Sequence, residues 1–216
     1  NKAGAFFALK QYADVLACDQ EVLDIRQKQV EQFAREQFGG SLARALWGKA
    51  VALDHLGRSA EALTVYDSAI ALSRELIQQQ LTNDLAGILL DKAKALRQQE
   101  QWEAASDCCT ESVALYESQL SDGKKQFLAD LLETLRVHFD VSRLRNDWQK
   151  AARDALLLLT YADQFLTGKS FAENVAAEID QFAKQLSELS EEEQKQLYDN
   201  LGERAQDVRN LLCRAS

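Results

Sequence analysis

The sequence predicts an all-α protein of about eight to ten helices set as antiparallel hairpins in a row. Three observations predict it. Proline is absent from all 216 residues, where ordinary usage would supply roughly ten; proline lacks an amide donor and clashes with the preceding turn, so helix interiors exclude it. Apolar residues recur at steps of three and four along the chain, and no segment alternates in the manner of a strand. The same two-helix pattern then returns at intervals, which marks an internal repeat.

In order along the chain, residues 3–17 and 21–38 read as helices divided at Asp19 and Gln20 and stopped by Gly39 and Gly40, with Ser41 as a cap. Leu42, Leu46, Ala50, Leu53 and Leu56 form one buried stripe that ends at Gly57, and Ala62, Val65, Tyr66, Ala69 and Leu72 form the next. So short a link forces the two helices to lie antiparallel. Leu89, Ala93 and Leu96 repeat the first stripe, a polar turn follows over Gln98 to Gln101, and Trp102, Ala105, Cys109 and Val113 repeat the second. Leu131, Leu135 and Phe139, the turn at Asn146 and Asp147, then Trp148, Ala151, Ala152 and Ala155 make a third copy. Ser170 with Glu173 and Ser190 with Glu193 have capping-box spacing and start two closing helices, striped by Phe171, Val175, Ile179, Phe182, Leu186 and by Leu197, Leu201, Ala205, Val208, Leu212. The expected organisation is one repeat domain over 1–216: starting helices in 1–40, hairpins at 42–81, 85–121 and 127–165, and capping helices at 170–214.

Composition excludes several classes of function. Apolar residues at 46% and charged residues at 27% are those of a soluble globular protein. The longest apolar run, Ala155 to Ala162, is too short to span a bilayer, so no membrane role is expected. Twenty-five basic against 34 acidic residues leave a net charge of −9, which repels a nucleic-acid backbone. Four cysteines are too few for a disulfide framework and no secretory leader opens the sequence, so a reducing cytoplasm is the expected compartment. Methionine is absent as well, and no physical reason for that is visible.

The stretch Lys49 to Leu63, with Tyr66, Ala69 and Ile70, resembles a tetratricopeptide (TPR) repeat. Ala50 stands at the small position of the first helix, Gly57 at the turn, and Ala62, Tyr66 and Ala69 at the small, aromatic and small positions of the second. The second copy has Ala93 and Ala105 but Glu100 for the glycine, Cys109 for the aromatic and Ser112 for the later small residue. The third has Ala151 but Phe139 for the small residue, so that hairpin must splay or repack. Ala62, Ala105 and Ala151 are 43 and 46 residues apart, against the family's usual 34, which implies an extended variant with longer helices. Ala8, Tyr12 and Val15 echo Ala62, Tyr66 and Ala69, so the first helix is either half of a truncated repeat or one arm of a simple hairpin.

The resemblance implies a right-handed superhelical solenoid whose first helices line a concave groove that binds a protein or peptide. Carried over by register, the groove residues are Arg44, Trp47, Val51 and Asp54, then Leu90, Lys94 and Arg97, then Glu133, Arg136, Asp140 and Arg143. Basic groups lead among them, so an acidic ligand held by guanidinium forks is the expected partner. The bland alternative is a solvated face, with Trp47 packed rather than serving as an anchor. His55 and His138 lack metal-ligand spacing, the adjacent Cys108 and Cys109 point apart, and Glu191 to Glu193 suit a helix N-terminus. No nucleophile–base pair or phosphate loop appears, so no enzyme, cofactor or metal is expected. A self-associating scaffold, with a second copy as partner, and a sensor domain of a larger regulatory protein are the alternatives.

Overall fold

The computed structural model describes residues 12–32, 35–76, 82–165, 169–202 and 205–208. Nine α-helices of eleven residues or more follow one another there, with one 3-10 turn and no strand among the described residues. They are α1 (Tyr12–Gln32), α2 (Arg35–His55), α3 (Ser59–Glu75), α4 (Thr82–Gln98), α5 (Trp102–Ser121), the 3-10 turn (Lys125–Phe127), α6 (Leu128–Leu144), α7 (Trp148–Phe165), α8 (Lys169–Ser187) and α9 (Glu191–Leu201). Residues 1–130 form one compact unit and 131–216 another.

In the first unit α1 packs on α2, α2 on α3, α3 on α4 and α4 on α5, while α2 also touches α4. Each hairpin therefore meets the first helix of the next. Ala50, Leu53, Ala62, Tyr66, Ala69, Leu85, Ile88 and Leu89 share one core, and Ala43, Leu72 and Leu76 share a smaller one at the open end of the α2–α3 hairpin. Leu85 to Leu90 are buried without interruption, because α4 is packed by α2, α3 and α5 at once.

Two expected breaks do not occur. α1 runs through Asp19 and Gln20, and Gln20 donates to Asp24 along the exposed side at 3.0 Å. A polar residue such as Gln20 on a solvated face reads like a turn yet needs no break. α2 likewise runs through Gly39, Gly40 and Ser41, whose hydroxyl bonds back to the carbonyl of Phe38 at 2.8 Å instead of capping a new helix. A Cβ on Gly39 would stand 2.6 Å from Leu76 Cδ1, so the glycine serves close packing of α2 against the end of α3. The part of the expected 3–17 helix before Tyr12, and the C-terminal stripe at Leu212, lie outside the described residues, as do the side chains of Ser170, Phe171, Glu173 and Val175.

The turns that end α2, α4, α5 and α6 share one geometry. The Arg58 amide bonds to the Leu53 carbonyl at 2.9 Å and the Gly57 amide to that of Asp54 at 2.9 Å, a Schellman closure. Gln101 to Leu96 with Glu100 to Arg97, Lys124 to Gln119 with Gly123 to Leu120, and Asp147 to Ser142 with Asn146 to Arg143 repeat it. The residue in the left-handed region is Gly57 (φ 74°), Glu100 (φ 58°), Gly123 (φ 80°) or Asn146 (φ 57°). A side chain there costs roughly 1–2 kcal/mol, least for asparagine. Glu100→Gly is therefore expected to add about 1 kcal/mol of stability; a urea midpoint that fails to rise would show that the Glu100 side chain offsets its own strain.

Aligning Gly57, Glu100 and Asn146 brings Ala50, Ala93 and Phe139 to one position and Tyr66, Cys109 and Ala155 to another, all buried. In the third copy the bulk stands on the first helix and the small residue on the second. In the second unit α7 packs on α8 and on α9. Phe139 meets Phe182 edge-on at 5.0 Å and 82°, and Trp148 lies 6.3 Å from the same ring. The Ser190–Glu193 capping box forms, with the Ser190 amide donating to Glu193 Oε2 at 2.9 Å and the Glu193 amide to Ser190 Oγ at 3.3 Å.

Candidate functional site

α2 and α4 stand side by side as the first helices of successive hairpins, so a residue on one faces a residue about one repeat later on the other. Arg44 Nε bonds Asp84 Oδ2 at 2.6 Å. Three residues on, Trp47 Nε1 donates to Asp91 Oδ2 at 2.9 Å while Lys94 Nζ reaches the other oxygen of Asp91 at 3.2 Å. The indole also packs over Gly87, where a Cβ would stand 2.7 Å from its Cη2. Trp47 is therefore a half-buried packing residue with one edge committed to Asp91. Leu90, placed on this face by register, is 4% exposed. Arg97 is half-buried in the last turn of α4.

The second unit repeats the arrangement between α6 and α8, where Arg136 grips both oxygens of Glu178, its Nε at 3.0 Å from Oε2 and its Nη2 on Oε1. Arg143, two turns further along α6, meets no carboxylate among the described residues. Its guanidinium carbon lies 5.4 Å from the Phe139 ring centroid, and its Nε is buried without an acceptor among the described residues.

The two arginine pairs lean one way, whereas Lys94 and Asp91 are about equally exposed. The Arg44 side chain is 64% exposed against 16% for Asp84, and Arg136 is 46% exposed against 30% for Glu178. Each pair therefore turns its cation to solvent and its anion inward. A parallel pair on the second helices, Arg74 to Glu111 at 2.6 Å, joins α3 to α5.

Sequence reasoning named the cations and missed their acids. Asp84, Asp91 and Glu178 lie 40, 44 and 42 residues after Arg44, Trp47 and Arg136, so an acid one repeat downstream of a base was the available signal. It also missed a buried pair: His138 Nδ1 on α6 lies 2.9 Å from Asp154 Oδ2 on α7. Burial pushes the Asp154 carboxyl above its ordinary range, against the opposing pull of His138. His55 stacks on Tyr12 with centroids 4.3 Å apart. Cys109 is buried, and burial pushes the Cys108 thiol up, away from reactivity. Among the described residues no group of His, Cys, Asp and Glu is placed to hold a metal, and no helix is long and apolar enough to cross a membrane.

No family model matches the chain, and a comparison with curated proteins matches none. Among solved structures it is similar to the nearly identical TPR-like repeats of a kinesin light chain candidate from Podosopora anserina, with a TM-score of 0.64 and 14% identity over 99% of this chain and 90% of that one. At such identity the likeness shows the fold, which is that of TPR-like helical repeats.

Proposed function

We propose, from a chain with the TPR-like fold, that it is a non-enzymatic protein-binding scaffold of the cytoplasm. It takes an acidic peptide or helix of a partner protein along its first helices, with Arg44, Trp47, Lys94 and Arg97 as the receiving residues of the first unit and Arg136 and Arg143 as those of the second. The observation that carries the reading is the outward lean of the ion pairs, because a guanidinium that meets its own carboxylate from inside still offers donors outward. Fixed inner carboxylates also hold the forks in place, which lowers the ordering cost of binding. The TPR-like fold supports a protein partner in general, and the pairing supports a ligand that supplies carboxylates.

The test compares affinity capture by the wild type with capture by an Arg44→Gln, Arg136→Gln variant that keeps its helical circular dichroism. Partners retained by the wild type and weakened by about tenfold or more in the variant, a change of about 1.4 kcal/mol, are the expected result. Equal retention by both would move the function to other faces or to self-association.

A further inference from the structure

The His138–Asp154 contact has no part in the face described above. Both side chains are almost wholly enclosed, 7% and 2% exposed, and they join the two helices of the α6–α7 hairpin across its interior. The two atoms lie 2.9 Å apart, and Asp154 Oδ2 has no other donor among the described residues. A carboxylate so placed is desolvated without being fully satisfied. The charged groups acting on Asp154 are His138 from α6 and, on its own helix, Arg153 and Lys150; among the described residues of α8 and α9 none acts on it. All three favour the carboxylate, and burial still outweighs them.

We propose that Asp154, enclosed against His138, is a pH-responsive latch between α6 and α7 that tightens when its carboxyl takes up a proton on acidification. Its surroundings set the direction. A carboxyl raised on folding adds stability that is fully present below the ordinary carboxylate range and is lost as the pH rises through its folded value. Above that folded value the hairpin carries a buried anion that loosens it, and protonation removes the anion. In the aligned positions the second hairpin has Lys92 and Cys108 and the first has Lys49 and Val65, so the latch belongs to the third hairpin.

The experiment is amide hydrogen exchange of the full chain across pH, corrected for the intrinsic exchange rate, comparing wild type with Asp154→Asn, which mimics the protonated carboxyl. In α6 and α7 the protection of wild type relative to the variant should fall severalfold as the pH rises from mildly acidic to neutral. Amides of residues 12–121 should show no such change. A protection ratio independent of pH would overturn the latch. Should the variant fail to fold, a carbon-13 titration of the Asp154 carboxyl in the wild type decides the matter: a midpoint above the ordinary carboxylate range supports the latch, and one within or below it ends it.

Discussion

Phe139→Ala is expected to destabilise residues 131–216 by about 3–5 kcal/mol, the range for emptying a fully buried aromatic site. Phe139 is wholly buried, its edge contact with Phe182 is lost, and the Arg143 guanidinium loses the ring beneath it. The sharper test is a rescue. In the first hairpin the small residue is Ala50 and the large one Tyr66, whereas the third has Phe139 and Ala155 at the aligned positions. Adding Ala155→Phe to Phe139→Ala moves the bulk back to the second helix, as in the first hairpin, and should recover part of the loss. Urea unfolding followed through the methyl signals of Leu131, Leu135 and Leu158 would read the second unit alone. A double variant no more stable than Phe139→Ala would mean that the two positions do not share one space.

Gly87→Ala comes next in size, with an expected loss of about 1–3 kcal/mol from overpacking. Helix propensity alone predicts the opposite, since alanine is favoured over glycine by about 1 kcal/mol in a helix interior. The clash wins because the new Cβ meets a rigid indole at 2.7 Å, and that indole is tied to Asp91 on the same helix as Gly87. Trp47→Phe in the same background removes the ring that collides and should return much of the loss. If Gly87→Ala instead raised the unfolding midpoint, the α2–α4 approach would be looser than the structure has it. Gly39 is a milder case, because the atom in its way is the end of a leucine side chain.

The helix hairpins were legible because their information is local: steps of three and four name the buried face, and a three-residue link leaves only antiparallel packing. Even the repeat spacing carried through, since Gly57, Glu100 and Asn146 mark the same turn. What failed was the use of glycine and polar residues as punctuation. Gly39 and Gly40 looked like a stop, but Gly39 answers Leu76, which is 37 residues away in sequence. The candidate face was half legible for a similar reason. Register placed Arg44, Trp47 and Arg136, but whether such a residue is spent or available depends on an acid one repeat later. Nothing in a single helix states that Asp91 will hold both Trp47 and Lys94, or that His138 will meet Asp154.

The helix pairs that pack here, α1–α2, α2–α3, α3–α4, α4–α5 and α2–α4 in one unit and α7–α8 and α7–α9 in the other, are all neighbours or next-but-one in the chain. No strand from a distant part of the sequence has to be found before these contacts close. Loop-closure entropy is therefore small at every step, and each finished hairpin is a template for the next. Such a chain belongs with the fast folders of low contact order. As it leaves the ribosome it can begin to fold before its remaining helices exist, with little time spent exposing apolar faces to other chains.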